Sequence, residues 1–169
     1  LDREEEHLAK IEAEKQKNEE LLLNILPQPI AMRMKANEYL IADSVASCSI
    51  LFADIVGFTP LSEALGPERV VEMLNKIFTQ FDNFCEDIGV EKIKTIGDNY
   101  MVAGGVPTPD QEHAPKVAQM AIAMMRYIRD HPAMDGSRLD MRIGIHSGPA
   151  VAGVIGRKKF VYDLWGDAV

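Results

Sequence analysis

The stretch LFADIVGFTP, residues 51–60, decides which fold this chain can adopt. Apolar residues over Ser49–Ala53 predict a β-strand that ends at the carboxylate of Asp54. After a tight loop, we expect a helix with Thr59 as its N-cap and Pro60 as its first residue. A carboxylate beside the free N–H groups of a helix start can hold a metal ion and a phosphate together. Ordinary capping by a strand-end aspartate is the alternative explanation.

A second segment, EKIKTIGDNYMVAGG, predicts a β-hairpin over Glu91–Gly105. Strand-type residues flank the dipeptide Gly97-Asp98, which is a strong turn signal. At the hairpin tip, Asp98 could lie beside Asp54, and the two carboxylates could then hold two divalent ions. Two-metal sites suit in-line displacement at phosphorus, because one ion activates the attacking oxygen and the other holds the leaving phosphates. The alternative is that Asp98 only forms the turn.

The remaining pattern alternates between helices and strands. Helices are predicted over Glu68–Ile88 and Gln111–Asp130, and strands over Leu139–His146, within Gly148–Gly156 and over Phe160–Trp165. We expect parallel strands with crossover helices, together with hairpins, in a ferredoxin-like α/β sandwich with the sheet on one side and the helices on the other. The helices are predicted to bury Val71, Leu74, Ile77, Phe78, Phe81 and Phe84 or Cys85 from the first, and Val117, Ala121, Met124, Met125 and Ile128 from the second.

Composition excludes several classes of function. The formal net charge of −8 argues against nucleic acid as a partner, because nucleic-acid binding needs a basic face. Two cysteines, Cys48 and Cys85, are too few for a disulfide framework and indicate buried thiols in a reducing compartment. The four histidines are scattered and form no zinc pattern. No apolar run approaches the roughly 20 residues that cross a bilayer, and no signal peptide is visible, so we expect a cytoplasmic protein.

Four ordered segments, FADIVGFT, IKTIGDNYM, RIGIHSGPAVAGVIG and YDLWGDAV, resemble the motifs of class III nucleotidyl cyclases. The resemblance is strongest to adenylyl cyclases of the mycobacterial and mammalian membrane type, and it extends from about Leu22 to Val169. It implies the cyclase fold and conversion of ATP to 3′,5′-cyclic AMP and pyrophosphate in signal transduction. It also implies a homodimer with active sites at the subunit interface, and a parent protein that is anchored in a membrane through segments outside this chain.

The same resemblance assigns metal and phosphate ligands. Asp54 and Asp98 match the two aspartates that hold two Mg²⁺ or Mn²⁺ ions, and the backbone carbonyl of Ile55 matches a further metal ligand. The ions would promote in-line attack of the ribose 3′-OH on the α-phosphorus. The backbone N–H groups that match the triphosphate-holding loop belong to Val56, Gly57, Phe58 and Thr59.

Lys94 and Asp163 match the pair that recognises the base from the opposite subunit. Adenylyl cyclases have lysine and aspartate there, whereas guanylyl cyclases resemble glutamate and cysteine. Lys94 can donate a hydrogen bond to the N1 acceptor of adenine, and Asp163 can accept one from the exocyclic amino group. Guanine presents the opposite pattern, at a cost of roughly 1–3 kcal/mol for each mismatched group. A solvated strand lysine and a turn aspartate are the alternative explanations.

The N-terminal 26 residues are rich in Glu, Lys, Leu and Gln, with no Gly or Pro before Pro27. A heptad repeat fits them, which predicts a two-helix signalling stalk over residues 1–26; a solvated single helix is the alternative. Residues 27–46, where Pro27 and Pro29 break the helix, are predicted to join this stalk to a partial cyclase domain over residues 47–169. The predicted core positions are Leu1, Leu8, Ile11, Leu22 and Ile25, and the weakening polar ones are Glu4, Lys15 and Asn18.

The chain ends at Val169, before the asparagine and arginine that follow WGDAV in the family and stabilise the transition state. Loss of one such stabiliser typically costs roughly 10²–10³ in turnover, so we expect this fragment to be nearly inactive and possibly monomeric alone, and its parent to be the enzyme. Arg142 is predicted to be a structural ion-pair partner of a carboxylate. The alternatives are a guanylyl cyclase and a non-catalytic regulatory or dimerising module.

Overall fold

The computed structural model describes residues 2–38, 40–156 and 158–169, so the predicted heptad position at Leu1 lies outside the described residues. Five helices and five strands follow one another along these residues. In chain order they are α1 (Arg3–Leu23), α2 (Gln28–Lys35), β1 (Ala42–Ile55), α3 (Phe58–Leu65), α4 (Pro67–Ile88), β2 (Glu91–Ile96), β3 (Asn99–Gly104), α5 (His113–Asp130), β4 (Met141–Ile155) and β5 (Val161–Trp165).

The five strands form one sheet in the order β2-β3-β1-β4-β5, and every neighbouring pair is antiparallel. The prediction of parallel neighbours is therefore wrong. The crossover helix α4 connects β1 to β2, which run in the same direction, but β3 lies between them. Likewise, α5 connects β3 to β4 with β1 between them. This split βαβ arrangement is the ferredoxin-like topology, which confirms the predicted fold class.

Apolar side chains pack on both faces of the sheet. On one face, α4 and α5 cover a core cluster that contains Leu51, Tyr100 and Val102. On the other face, a second cluster contains Ile50 and Met101, and α2 contributes its fully buried Ile30 and Ala31. Helix α2 therefore adds a packing element opposite the two crossover helices, where the sequence predicted helices on one side only. Its burial follows from Pro27 and Pro29, which end α1 and restart the chain as a helix that can turn onto the sheet.

The two crossover helices match their predicted bounds closely, and most of their predicted core residues are buried, with two exceptions. Val71 is 67% exposed and Met125 is 44% exposed, so their predicted burial is wrong; Ala121 is half-buried. The other predicted positions are confirmed as buried or as packed against the core, and the prediction missed Val70, Met73 and Met120, which lie on the same helical faces. The buried residues are Val70, Met73, Ile77, Phe81 and Cys85 in α4, and Val117, Met120, Met124 and Ile128 in α5.

The strands are longer than the sequence predicts. β1 covers Ala42–Ile55 rather than Ser49–Ala53, and β4 is continuous over Met141–Ile155, where a strand, a turn and a second strand were predicted. These two strands pair along most of their length, with one irregularity in register between Val45 and Cys48. Pairing over this length explains why Gly148 does not interrupt the strand, because hydrogen bonds to β1 hold it extended. The final short strand is confirmed as β5.

Helix α1 has no buried residue in the single chain. Leu8, Ile11 and Ile25 are 66%, 49% and 64% exposed, whereas Leu22 packs against the second core cluster. The stalk, its coiled coil and the division into domains remain predictions. Among the described residues, no helix combines the length and the apolar character that a membrane span requires.

Candidate functional site

Asp54 lies within the last residues of the central strand β1 rather than after it. Its partner in the neighbouring strand is Arg142, which the β1–β4 register places opposite it. The guanidinium donates from Nε to Asp54 Oδ1 at 3.0 Å and from Nη2 to Oδ2 at 3.2 Å, so both carboxylate oxygens are engaged. The hydrogen bond with Asp54 raises the pKa of Arg142. The predicted structural ion pair of Arg142 therefore falls on the proposed metal ligand itself.

Asp98 lies at the tip of the β2–β3 hairpin, as predicted. Gly97 has a φ of +58°, in the left-handed region that this tight turn requires. Oδ2 of Asp98 accepts a hydrogen bond of 2.9 Å from the backbone N–H of Ile55. The hairpin tip is thereby attached to the end of β1, one residue from Asp54. Oδ1 of Asp98 remains available for another partner.

The loop after β1 differs from the prediction in how its helix begins. Helix α3 begins at Phe58 with Gly57 as its N-cap, so the prediction of Thr59 as N-cap and Pro60 as first helical residue is wrong. Gly57 has a φ of +68°, and this glycine makes the sharp turn out of the strand without a side-chain cap. Pro60 is tolerated because the first N–H groups of a helix have no partner within it.

The first helical N–H groups, from Phe58 onward, are those that an anion at this helix start would use. Val56 is different, because its N–H donates to the carbonyl of Asp140 at 2.9 Å. The phosphate-binding role of residues 56–59 remains a prediction, and within these residues the Val56 N–H already has a backbone partner.

Lys94 and Asp163 form an ion pair across the two edge strands of the sheet. Lys94 Nζ lies 2.6 Å from Asp163 Oδ2, and the two side chains are 33% and 14% exposed. β2 and β5 stand at opposite ends of the strand order, yet they contact each other, so the sheet curls enough to bring its edges together. Asp163 Oδ1 also accepts a hydrogen bond from the Leu164 N–H at 2.8 Å. The pair is thus held from both strands, and the sequence predicted neither the contact nor its geometry.

The donor set suits hard divalent cations. Within residues 2–38, 40–156 and 158–169, no three side chains of His, Cys, Asp or Glu converge on one point. Metal ions at Asp54 and Asp98 would therefore take their remaining ligands from the Ile55 carbonyl, water and nucleotide phosphates. Carboxylate and carbonyl oxygens are the ligands that Mg²⁺ and Mn²⁺ prefer, so the residues present fit these ions.

Comparison with known proteins identifies the family. Residues 40–169 match the family model described as adenylate and guanylate cyclase catalytic domain. The chain belongs to this family. The match confirms the resemblance carried by the four motifs, and it covers every residue of this cyclase domain for which a site role was predicted.

Relatives with both nucleotide specificities resemble this cyclase domain. The whole chain is 43% identical over 162 residues to an adenylate cyclase of Mycobacterium tuberculosis, a match that covers 95% of this chain and 37% of the relative. It is 42% identical over 160 residues to a membrane guanylyl cyclase of Dictyostelium discoideum, with coverage of 94% and 11%. The chain thus spans well under half the length of these relatives.

A solved structure supports the same fold. The catalytic core of a rhodopsin-guanylyl cyclase with converted specificity, in complex with ATPαS, superposes with a TM-score of 0.73 at 34% identity. The superposition covers 76% of this chain and 70% of that one. The cyclase fold is therefore supported by a described structural relative as well as by sequence.

Proposed function

We propose that this cyclase domain is the catalytic domain of an adenylyl cyclase that converts ATP to 3′,5′-cyclic AMP and pyrophosphate. The observation that carries the proposal is the ion pair of Lys94 with Asp163, at 2.6 Å between Nζ and Oδ2. An ammonium and a carboxylate held side by side present one donor and one acceptor to the edge of a base. Adenine offers the complementary acceptor and donor on its N1 and exocyclic amino group, whereas guanine offers the reverse.

The contacts of the pair support a recognition role over a purely structural one. Lys94 uses one of its three ammonium protons on Asp163, and the remaining protons can turn toward a ligand. Asp163 keeps lone pairs on both oxygens after accepting from Lys94 and Leu164. Both side chains are partly exposed, so a base can reach them without unfolding the sheet edge.

Asp54 and Asp98 are the residues that would hold the metal ions, with the Ile55 carbonyl as a further ligand. Two such ions, when bound, lower the pKa of the ribose 3′-OH and neutralise charge on the departing pyrophosphate. The chain contributes to this site by geometry, because the Asp98 bond to the Ile55 N–H sets the hairpin tip against the end of β1. The N–H groups of residues 57–59 would hold the triphosphate at the start of α3.

Arg142 must exchange partners when the site is occupied. In this structure its guanidinium engages both oxygens of Asp54, which a metal ion also needs. Its side chain is 74% exposed, so release from Asp54 meets little steric resistance. A released guanidinium beside a bound triphosphate is suited to bind phosphate oxygens, because Arg forms forked hydrogen bonds with them. We infer that Arg142 balances the charge of Asp54 first and that of the nucleotide afterwards.

A homodimer with the stalk as a parallel helix pair completes the proposal. The exposed Leu8 and Ile11 on α1 provide an apolar surface that a second copy could cover. One solved structure that resembles this chain, at 31% identity, is a dimeric guanylyl cyclase domain. A membrane-anchored longer protein with this domain in the cytoplasm remains a prediction.

The deciding experiment compares ATP with GTP as substrates, with Mg²⁺ or Mn²⁺, in this chain and in a longer one that continues past Val169. We expect cyclic AMP as the main product of the longer chain. The variant Lys94→Ala should lower the ratio of kcat/KM for ATP to that for GTP by about 5- to 150-fold, the range for one mismatched buried contact. The matched control is Lys92→Ala, two positions earlier on β2, whose ammonium bonds Asp82 instead.

A guanylyl cyclase is the second candidate, because guanylyl cyclases are among the relatives at similar identity. Cyclic GMP product in excess of cyclic AMP, with no effect of Lys94→Ala on the ratio, would establish that candidate. Absence of both products in the longer chain would instead favour a non-catalytic module.

A further inference from the structure

A cavity of about 650 Å³ lies between the α1–α2 connection and the sheet. Its walls come from four parts of the fold. They are the connection Leu23–Pro29, the C-terminal end of α4 with the start of β2, the loop of residues 105–110 after β3, and Tyr162 of β5. None of the four side chains assigned above to metal or base lines it. Its volume falls in the range of small-molecule sites.

Two polar groups in this cavity have no partner among the described residues. Tyr162 is only 4% exposed, yet its hydroxyl makes no hydrogen bond within residues 2–38, 40–156 and 158–169. Glu91 is half-buried, and no side chain or backbone group in the same part of the chain bonds its carboxylate. Burial raises the pKa of Glu91 to about 7. Among the described residues, Asn99 Oδ1 is the one fully enclosed side-chain polar atom without a partner, so the Tyr162 hydroxyl and the Glu91 carboxylate open into the cavity, where a ligand can reach them.

The other charges around the cavity are already compensated, with one exception. Asp82 from α4 binds Lys92 of β2 and accepts from the Tyr100 hydroxyl. Asp110 in the loop after β3 binds Lys116 of α5. Glu86 of α4, like Glu91, has no cationic partner in the described structure, and Cys85 of α4 is a buried thiol. Residues 23–29 contribute no titratable side chain.

We propose that this cavity binds a small organic cation, a primary ammonium on an apolar body. The Glu91 carboxylate would accept one hydrogen bond from the ammonium, and the oxygen of the Tyr162 hydroxyl would accept a second. The apolar body would lie against Leu26 and Val106, which are both buried and line the cavity. An ammonium paired with Glu91 supplies the positive charge that the surroundings lack, and it favours the ionised carboxylate.

The position of the cavity couples such a ligand to Lys94 and Asp163, the two residues proposed to recognise the base. Glu91 lies three residues before Lys94 on β2, and Tyr162 directly precedes Asp163 on β5. The same ligand therefore touches both edge strands whose approach brings Lys94 and Asp163 together, and it also touches the connection from α1. This regulatory consequence rests on the proposed function, whereas the binding itself does not.

The test titrates the 169-residue chain with three probes of similar shape and different charge, and ¹⁵N–¹H NMR spectra monitor the binding. The probes are phenethylamine, 2-phenylethanol and 3-phenylpropionate. We expect the amine to bind most tightly and to shift the amide signals of Glu91 and Tyr162. Its affinity should be about tenfold weaker at pH 6 than at pH 8, because the ionised fraction of an acid with a pKa of about 7 falls roughly tenfold over that range.

Variants separate the parts of the proposal. Glu91→Gln should weaken the amine at least about tenfold at pH 8, abolish the pH dependence and leave the alcohol within about twofold. The matched control, Glu68→Gln, changes an exposed carboxylate at the other end of α4 and should change nothing. Equal binding of amine and carboxylate, no binding of the amine, or amine binding unaffected by Glu91→Gln would overturn the site. Amine binding without shifts of the Lys94 and Asp163 amides would overturn the coupling alone, whichever nucleotide the enzyme uses.

Discussion

Asp98 has two separable tasks in this structure, and two substitutions can divide them. Oδ2 accepts a hydrogen bond from the backbone N–H of Ile55, which holds the hairpin tip to the end of β1. Oδ1 is the atom proposed to bind metal. Asp98→Asn keeps a carbonyl oxygen that can accept from Ile55 but removes the charge that a metal ion needs. Asp98→Ala removes both.

The structure sets the size of the expected difference. Ile55 is 2% exposed, so its N–H cannot turn to water when the acceptor is removed. An unsatisfied buried donor costs about 1–3 kcal/mol, so Asp98→Ala should lower the free energy of unfolding by that amount. For a chain of this size, each 1 kcal/mol corresponds to about 2–4 °C in Tm. Asp98→Asn should cost less than about 1 kcal/mol, since its hydrogen bond survives in neutral form.

Metal binding, unlike stability, should respond to the two substitutions alike. Both variants lose the ligating carboxylate, so both should weaken Mn²⁺ binding by at least about tenfold, the lower end for damage to a metal site. Urea unfolding monitors the stability, and the EPR signal of free Mn²⁺ monitors the metal. Asp87→Asn and Asp87→Ala, at an exposed carboxylate of α4, serve as matched controls and should change neither quantity.

Two results would refute this reasoning. If Asp98→Ala is as stable as Asp98→Asn, the bond to Ile55 does not hold the hairpin tip. If Mn²⁺ affinity is unchanged in Asp98→Asn, Asp98 is not a ligand, and the two-metal proposal for this site fails with it.

Three further predictions follow from the ion pairs and the buried acid. Arg142→Gln frees the Asp54 carboxylate, so Mn²⁺ affinity should rise about two- to fivefold at low salt and less at high salt. EPR titrations that show a weaker affinity would contradict the proposal that Arg142 releases Asp54 when metal binds. Lys94→Ala leaves Asp163, which is 14% exposed, without its partner and should lower the free energy of unfolding, measured in urea, by about 1–2 kcal/mol. The double variant with Asp163→Asn should largely recover this loss. If the effects of the two substitutions on the free energy of unfolding are additive, the pair is not coupled. Glu91 has a pKa of about 7 in the native protein, whereas its pKa in the unfolded chain is near 4.5. The free energy of unfolding should therefore fall by about 1–2 kcal/mol, after allowance for solvent, as pH rises through that window. Urea unfolding of Glu91→Gln should lack this fall, and equal pH profiles of the two proteins would refute the prediction.

Local patterns in the sequence predicted much of the fold and the family. The hairpin over Glu91–Gly105 was correct because Gly97-Asp98 is a turn signal that acts within a few residues. The crossover helices were correct in extent because periodicity and proline and glycine boundaries are local. The four motifs were sufficient to identify the cyclase family, which the family model confirmed. The start of α3 was misjudged, because Thr59 and Pro60 are good cap residues but Gly57 alone could make the turn out of β1.

The sequence by itself determined the ferredoxin-like alternation of elements, the two acidic positions and the motifs of a nucleotidyl cyclase, since each depends on neighbours along the chain. Only the tertiary structure decided that all strand neighbours are antiparallel, that Arg142 binds Asp54, and that the sheet curls until Lys94 meets Asp163. These contacts join residues 88 and 69 positions apart. Strand order, register and curl set them, and those depend on hydrogen bonds and packing between distant segments, which no local pattern records.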